Sequence, residues 1–316
     1  MRKNFQPTGF DQSGAWGLAL GATADAVFAD PQRGHPVAVF GSAVSRSEAV
    51  VYADSRAVGA GFTAFWVAVA AGIGDVAGRL GTVGTAAATF TALGGTSLCR
   101  IGDNIADALD AGDIEGARRL VSGLVGRDPN LLDEPGICRA AVESIAENTS
   151  DSAVAPLVWA AAIGAPGLLA YRAINTLDAM IGYRSDRYRN FGWAAARTDD
   201  VANLIPARVT ALIVAAASGQ PGVVWRTIRR DAAAHPSPNA GVVEAAFAGA
   251  LGIELGGRTV YAHGIEERPT LGDGRSPTAA DLRAAVALSR RVQIVSAVGA
   301  VLIRAGLVRR RSAGTA

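Results

Sequence analysis

Long uncharged stretches are the feature that most restricts the fold of this chain. Residues 57–74, 80–99 and 152–171 contain no charged side chain, and each is close to the roughly 20 apolar residues that a helix needs to cross a bilayer. Half of the 316 residues are hydrophobic and only 18% are charged. This composition indicates either a polytopic membrane protein or a very Ala- and Gly-rich soluble protein. We predict an all-α fold, a polytopic membrane helical bundle.

Turn signals interrupt the apolar stretches. The middle of residues 152–171 reads Gly164-Ala165-Pro166-Gly167, and glycine with proline favours a turn over a continuous helix. Two short helices packed as a re-entrant hairpin therefore compete with one straight span. Residues 57–74 and 80–99 are in turn expected to form a helical hairpin. The predicted bundle thus includes re-entrant or broken helices.

The remaining segments are more polar. Residues 100–150 and 226–284 are expected to be mainly water-facing, within a single membrane-embedded helical domain that covers residues 1–316. Residues 258–277 are rich in Gly and Pro and predict a loop, and no region alternates as a strand would. A final helix over residues 278–303 precedes an Arg-rich tail, which the positive-inside rule places in the cytoplasm. We expect a multi-pass protein of the cell membrane.

Charge and residue types exclude several classes of function. The formal net charge of +2 is too small to indicate a nucleic-acid partner. Lys3 is the only lysine, so the chain has no Walker-type phosphate loop and its other basic contacts come from arginine. Cys99 and Cys138 form no disulfide framework and are expected to be free. The three histidines lack the spacing of a zinc site, and we interpret them as structural.

An acidic stripe precedes the turn-containing stretch. Steps of four residues return to one face of a helix, so Glu143, Glu147 and Asp151 are expected to align, with Asn148 beside them. Three carboxylates in a row repel one another, and residues 143–151 contain no Lys or Arg that could pair with them.

The central block of the chain combines three kinds of polar group. Its carboxylates, amides and arginines are Glu143, Glu147, Asp151, Asp178, Asp199, Asp200, Asn148, Asn175, Asn203, Arg172, Arg184, Arg187, Arg189, Arg197 and Arg208. Oxygen ligands suit magnesium, and forked arginines suit phosphate or carboxylate. Such a set serves phosphoryl transfer or ATP-driven activation of a carboxylate. The alternative is an intramembrane salt-bridge lattice in a transporter, because polar groups at membrane depth must face one another, water or a ligand.

The motifs of this chain resemble those of the CobD/CbiB family of cobalamin biosynthesis. They occur in the family's order over nearly the whole chain: Asp30-Pro31, His35-Pro36, Glu143-Ser144-Ile145-Ala146-Glu147-Asn148-Thr149 with Asp151, Asn175-Thr176-Leu177-Asp178, Met180-Ile181-Gly182-Tyr183, Ala196-Arg197, Asp199-Asp200 with Asn203, Pro206-Ala207-Arg208, Ser237-Pro238-Asn239, the run that begins at Ala248, and Leu255-Gly256-Gly257. The chain departs from the family at Ala179 and Ala240, where serine is frequent, which puts a hydroxyl role at these positions in doubt.

The resemblance implies an integral membrane enzyme, an adenosylcobinamide-phosphate synthase. Such an enzyme joins a carboxylate of adenosylcobyric acid to the amine of 1-aminopropan-2-ol or its O-phosphate, and it uses ATP and Mg²⁺. The expected partners are the corrinoid, the amine and membrane lipid. Other membrane-bound enzymes of the late pathway and a second copy of the chain are further expected partners. The alternative is a membrane transporter or a non-catalytic scaffold for corrinoid handling.

The resemblance supports the positions of the site residues, while only chemistry indicates their roles. Mg²⁺ is expected to bind Glu147, Asp151 and Asp178. The expected catalytic residues are Glu147, Asp178, Asp199 and Asp200. Residues expected to bind substrate or nucleotide are Asn148, Arg172, Asn175, Arg184, Arg187, Arg197, Asn203, Arg208, Ser237 and Asn239. For Ser237 and Asn239 the competing interpretation is a helix N-cap without a catalytic function.

Overall fold

The computed structural model describes residues 10–30, 35–124, 132–183, 185–261 and 264–313. Its helices are α1 Phe10–Phe28, α2 Pro36–Val51, α3 Arg56–Arg79, α4 Gly81–Ala92, α5 Gly95–Asp110, α6 Ile114–Val121, α7 Glu134–Thr149, α8 Ala155–Ile163, α9 Ala165–Ile181, α10 Tyr188–Phe191, α11 Trp193–Ala202, α12 Leu204–Ala217, α13 Pro221–Asp231, α14 Ala240–Leu251 and α15 Ala279–Ala313. A π-helix, Ser150–Val154, joins α7 to α8, and a 3₁₀ turn, Ala232–Ala234, follows α13. The predicted all-α fold class is confirmed.

The chain divides into two compact units. The first comprises Met1–Gly94, Ala155–Ala202 and Ser296–Ala316, and the second comprises Gly95–Val154 and Asn203–Val295. Each unit is therefore assembled from segments that are distant in the sequence. The single domain expected over residues 1–316 stays a prediction.

Among the residues that the structure describes, two helices, α3 and α15, are long and apolar enough to cross a membrane, and α11 with α12 qualifies as a third span if the two are taken as one bent helix. Helix α3 includes the predicted span over residues 57–74 and has the length and hydrophobicity that a span requires. Large apolar side chains such as Phe65, Ile73 and Leu302 are exposed on these helices. Exposed apolar surface of this kind is expected where helices face lipid.

The first unit is built around α3 and α9. Phe62 of α3, Leu177 and Ile181 of α9, and Phe191 of α10 form one buried cluster. Gly74 of α3 lies so close to the backbone of Ala165 that a Cβ at position 74 would overlap the Ala165 carbonyl oxygen. Small residues allow helix backbones to approach closely, and here they set the distance between α3 and α9.

The chain breaks where the turn signals predict it. Gly164 has a φ of 86° and separates α8 from α9. A Cβ on Gly167 would lie 2.8 Å from the carbonyl oxygen of Trp159 and 2.7 Å from Cβ of Ile163, so the start of α9 folds back on the end of α8. Residues 152–171 are therefore broken into two segments that pack on each other and do not form one straight helix. The stretch 80–99 is broken as well, because α4 ends at Ala92 and α5 begins at Gly95.

The second unit contains a β-hairpin that the sequence analysis did not predict. Strands β1 (Leu255–Tyr261) and β2 (Gly264–Leu271) pair antiparallel, with Leu255 opposite Leu271 and an irregularity between Leu255 and Gly257. The expectation of a loop over residues 258–277 was wrong for this part of the segment. The hairpin forms despite its Gly and Pro content because Gly256, at φ 77°, permits close contact with the carbonyl oxygen of Pro269.

Two glycines of α3 provide a matched test of the α3–α9 contact. In the Gly74→Leu variant the new side chain meets the backbone of Ala165, so we expect stability to fall by about 1–3 kcal/mol. Gly72, two residues earlier, has open space around it, and Gly72→Leu should be nearly neutral. Thermal unfolding in detergent measures both, and equal melting temperatures would contradict the contact.

Candidate active site

Three carboxylates of the first unit lie on α9 and α11, which pack together. Asp178 is in the last turn of α9, and Asp199 and Asp200 are in the last turn of α11. Burial, and to a lesser degree the charge of Asp200, raise the pKa of Asp178 to about 6. Asp178 is not part of a helix that qualifies as a span. Its carboxyl group therefore changes protonation near neutral pH, as catalytic carboxyl groups often do.

A glycine makes room for the Asp178 carboxylate. The N–H of Gly182 donates to the Asp178 carbonyl oxygen at 2.7 Å, which ends α9. A Cβ at position 182 would overlap Oδ1 of Asp178. Gly182, within the motif Met180–Tyr183, therefore leaves the space that the Asp178 carboxylate occupies.

The arginines of the first unit differ in how they are held. Arg197 donates to Oδ2 of Asp200 at 3.3 Å, and Arg172 approaches Oδ1 of Asn175 at 3.5 Å. Arg187 donates to the buried Glu48 at 2.8 Å and lies 4.0 Å from the ring centroid of Tyr52. A cation–π contact and an ion pair thus hold Arg187, which the sequence analysis assigned to a phosphate. Arg184 lies outside the described residues.

The acidic stripe belongs to the second unit and is divided there. Glu143 is buried, Glu147 is exposed and Asp151 is half-buried. Asp151 stands in the π-helix Ser150–Val154 rather than on a continuation of α7. The three carboxylates of the predicted stripe therefore have different surroundings, and their alignment on one face stays a prediction. Short π-helical segments within α-helices often occur at functional sites.

Two substrate-binding candidates of the second unit meet each other. Arg208 of α12 donates to Oδ1 of Asn239 at 2.7 Å and to the carbonyl oxygen of Leu204 at 3.2 Å. Oγ of Ser237 accepts from the N–H of Ala240 at 3.1 Å, so Ser237 does stabilise the first turn of α14. Asn203 is buried at the start of α12. Asn148 donates to the carbonyl oxygen of Ser144 at 3.0 Å.

The carboxylates do not form a complete metal site by themselves. Among the residues that the structure describes, no group of three or more His, Cys, Asp or Glu side chains is arranged to hold a metal ion. Mg²⁺ usually keeps several waters and binds one or two protein carboxylates together with substrate phosphates. The donor chemistry of Asp178 with Asp200, and of Glu147 with Asp151, fits that mode of binding. The proposed metal ligands stay a prediction.

Comparison with known proteins identifies the family. The family described as CobD/Cbib protein matches residues 18–289. The chain belongs to the CobD/CbiB family. Cobalamin biosynthesis protein CobD of Mycobacterium tuberculosis is 55% identical over 301 residues, which are 92% of this chain and 96% of that protein. The proteins of the same name from Geobacter metallireducens and Rhizobium meliloti are 43% and 39% identical, over 80% and 85% of this chain and 85% and 90% of their own lengths. No solved structure matches.

Membership in the CobD/CbiB family gives the protein a role in cobalamin biosynthesis and confirms the resemblance drawn from the motifs. The family match covers the candidate residues of both units, from Asp30 to Asn239. The assignment of catalytic, substrate-binding and metal-binding roles to individual residues stays a prediction.

Sequence reasoning missed a buried polar cluster in the second unit of this CobD/CbiB protein. Arg268 of β2 lies 3.1 Å from Oε2 of Glu143 and 3.6 Å from Oε1 of Glu244. Glu143 also accepts from the N–H of Gly256 at 2.8 Å. Arg268 therefore ties the hairpin to α7 and α14. The sequence contains no local signal for this contact, because Glu143 and Arg268 are more than 100 residues apart in the chain.

His235 completes this cluster. Its Nε2 lies 2.7 Å from Nη2 of Arg268, and Nδ1 lies 3.3 Å from the carbonyl oxygen of Ser237. Because arginine can only donate, Nε2 accepts from Arg268, while Nδ1 lies 3.1 Å from the backbone nitrogen of Ser237 as well as close to its carbonyl oxygen. Burial, and then the charge of Arg268, lower the pKa of His235. The interpretation of His235 as structural is consistent with these contacts, which also fix the Ser237 turn.

The cluster yields a prediction for stability. Arg268→Met leaves Glu143 and Glu244 buried without this counter-charge, and the loss of one partner of a buried ion pair costs about 3–5 kcal/mol. Arg283→Met, at an exposed pair with Asp110, should cost no more than about 1 kcal/mol. Thermal unfolding of both variants at neutral pH tests this. An Arg268 variant as stable as the Arg283 variant would show that the two glutamates are compensated by other groups.

Proposed function

We propose that this protein is a multi-pass enzyme of the cell membrane that forms an amide bond in cobalamin biosynthesis. It joins a carboxylate of adenosylcobyric acid to the amine of 1-aminopropan-2-ol or its O-phosphate, with ATP and Mg²⁺, to give adenosylcobinamide or its phosphate. Membership in the CobD/CbiB family supports the pathway. The reaction itself is inferred from the chemistry of the candidate residues.

The observation that carries the proposal is the pairing of Asp178 with Asp200. Two carboxylates on contacting helices disfavour each other's ionisation, which contributes to the raised pKa of Asp178. A divalent cation relieves such repulsion, and a base with a pKa near 6 can receive a proton at neutral pH. In the described part of the chain, Asp178 takes part in no ion pair. Asp178 thus lacks the ion pair that Arg197 gives to Asp200, which supports a chemical role for Asp178.

ATP with Mg²⁺, when bound, supplies the leaving group that a carboxylate needs before an amine can displace it. The chain contributes oxygen ligands for the cation, Asp178 with Asp200 in the first unit and Glu147 with Asp151 in the second. Arg172 and Arg197 in the first unit, and Arg208 in the second, are cations that can orient phosphate or carboxylate groups.

Proton transfer is the second task of the chain's own residues. A protonated amine cannot attack, so its proton has to be removed, and we assign this role to the carboxylate of Asp178 or Asp199. Asp178 is already desolvated, which strengthens its interaction with a nearby ammonium group.

A direct assay tests the proposal. Purified protein is incubated with adenosylcobyric acid, ATP and Mg²⁺, with either 1-aminopropan-2-ol or its O-phosphate, and products are measured by mass spectrometry. We expect one amide product per ATP consumed. Binding of the corrinoid without product under all conditions would instead favour a transporter or scaffold.

The Asp178→Asn variant tests catalysis and stability separately. Folding raises the pKa of Asp178 from 3.8 to about 6, so the folded protein becomes less stable as the pH rises from the lower value through the higher one. The Asp178→Asn variant cannot ionise at this position and does not show that loss. We expect the variant to make no product while being up to about 3 kcal/mol more stable at pH 7.5, with a smaller difference at pH 5. Glu115→Gln, at an exposed carboxylate of α6, is the control and should change neither property. Near-normal turnover of Asp178→Asn would remove Asp178 from the site.

The Arg208→Lys variant tests whether Arg208 binds the nucleotide. Arg208→Lys keeps the charge but loses the planar guanidinium group, which can direct two hydrogen bonds to one phosphate. The loss of one charge-assisted hydrogen bond costs about 1.5–3 kcal/mol. We expect the ATP concentration for half-maximal turnover to rise about ten- to a hundredfold. The exposed Arg226→Lys is the matched control in the same unit. An unchanged ATP dependence in Arg208→Lys would show that Arg208 does not bind the nucleotide. The segment from Asp30 to His35 would then be the next candidate.

A further inference from the structure

The guanidinium group of Arg208 is held by the protein at one nitrogen only. Nη1 donates to Oδ1 of Asn239 at 2.7 Å and to the carbonyl oxygen of Leu204 at 3.2 Å. Nε and Nη2 have no hydrogen-bond or ion-pair partner among the residues that the structure describes, and Arg208 is exposed. The Nε–Nη2 edge, which can donate two parallel hydrogen bonds to one oxyanion, is therefore available to a ligand.

The partner of Arg208 stands at the end of a turn that is built around Ser237. Oγ of Ser237 accepts from the N–H of Asn239 at 3.3 Å and from the N–H of Ala240 at 3.1 Å. Asn239 itself is buried at the start of α14. The conformation of this turn therefore fixes the position of the amide oxygen that accepts from Arg208.

His235 holds the other side of the same turn. Its Nδ1 accepts from the N–H of Ser237 at 3.1 Å, and its Nε2 accepts from Nη2 of Arg268 at 2.7 Å. A Cβ at Gly241 would overlap Cβ of His235, so the histidine packs directly against the first turn of α14. The side chain of His235 is only 5% exposed and cannot itself reach a bound substrate. One series of contacts in the second unit thus runs through Arg268, His235, Ser237, Asn239 and Arg208.

We propose that His235 and Asn239 are positioning residues, which hold Arg208 by Nη1 and so direct its Nε–Nη2 edge to a phosphate group of ATP. An arginine that is already oriented loses less side-chain freedom when the anion binds. The identity of the anion rests on the proposed function. The role expected for Asn239 changes accordingly, from contact with substrate to contact with Arg208.

The test measures the affinity of the purified full-length protein for ATP with Mg²⁺. The ATP-dependent rise in melting temperature gives this affinity without any need for turnover, and product formation is recorded in parallel by mass spectrometry. His235→Leu removes the acceptor of the Ser237 N–H, and Asn239→Ala removes the acceptor of Arg208. We expect either change to raise the dissociation constant for ATP about tenfold, because a charge-assisted bond from Arg208 is weakened.

A conservative variant separates positioning from a general loss of stability. The amide group of His235→Asn reaches the place of Nδ1 but not that of Nε2, so it keeps a partner for Ser237 and loses the one for Arg268. We expect His235→Asn to bind ATP within about threefold of the wild-type protein, although it shares the lost Arg268 contact with His235→Leu. Thr227→Val, at a buried hydroxyl between α13 and α14, is the control and should leave ATP affinity unchanged.

Combination with Arg208→Lys shows whether the two residues act through Arg208. In that background, His235→Leu or Asn239→Ala should weaken ATP binding by less than about twofold, because residues that act through one shared partner are not additive. Additive losses would mean that Asn239 or His235 affects ATP by another route and would overturn the proposal. It would equally be overturned if His235→Leu and the wild-type protein had the same ATP affinity, whether or not product forms. Absence of product from a wild-type protein that shows the expected pattern of ATP binding would reject the amide-forming function and leave the positioning role intact.

Discussion

Charge that is removed from water has to meet an opposite charge or a ligand, and this requirement governs where an apolar chain can keep its carboxylates. In the second unit the requirement is met internally. Arg268 reaches both Glu143 and Glu244, and the Gly256 N–H adds a further bond to Glu143. The contacts of Arg268 explain why a hairpin with little strand propensity of its own is held against α7 and α14.

In the first unit, Asp178 has surroundings different from those of Glu143. Asp178 is half-buried, and its burial together with the charge of Asp200 raises its pKa. Arg187, one of the arginines that the sequence analysis assigned to substrate or nucleotide, is held by Glu48 and Tyr52. Glu143 is thus a carboxylate whose charge is compensated by Arg268, whereas the raised pKa of Asp178 is of the kind often found at functional sites.

Close backbone packing makes this arrangement achievable. Gly74 brings α3 against the start of α9, and Gly182 leaves the space that the Asp178 carboxylate occupies at the other end of α9. Both contacts rely on the absence of a side chain. In a membrane helix, where apolar burial gives little preference for one neighbour over another, such contacts select the partner.

The sequence by itself determined the helical class, the long apolar helix α3, the break at Gly164 and, through its motifs, the family, because each of these depends on residues that are near one another in the chain. Apolar length, turn-forming residues and motif order are local properties. Only the tertiary structure decided that Glu143 is compensated while Glu147 is exposed, since Arg268 is 125 residues from Glu143. It also decided that Leu255–Tyr261 and Gly264–Leu271 pair as a hairpin. These outcomes depend on which distant segments pack together, and neither periodicity nor composition encodes that choice.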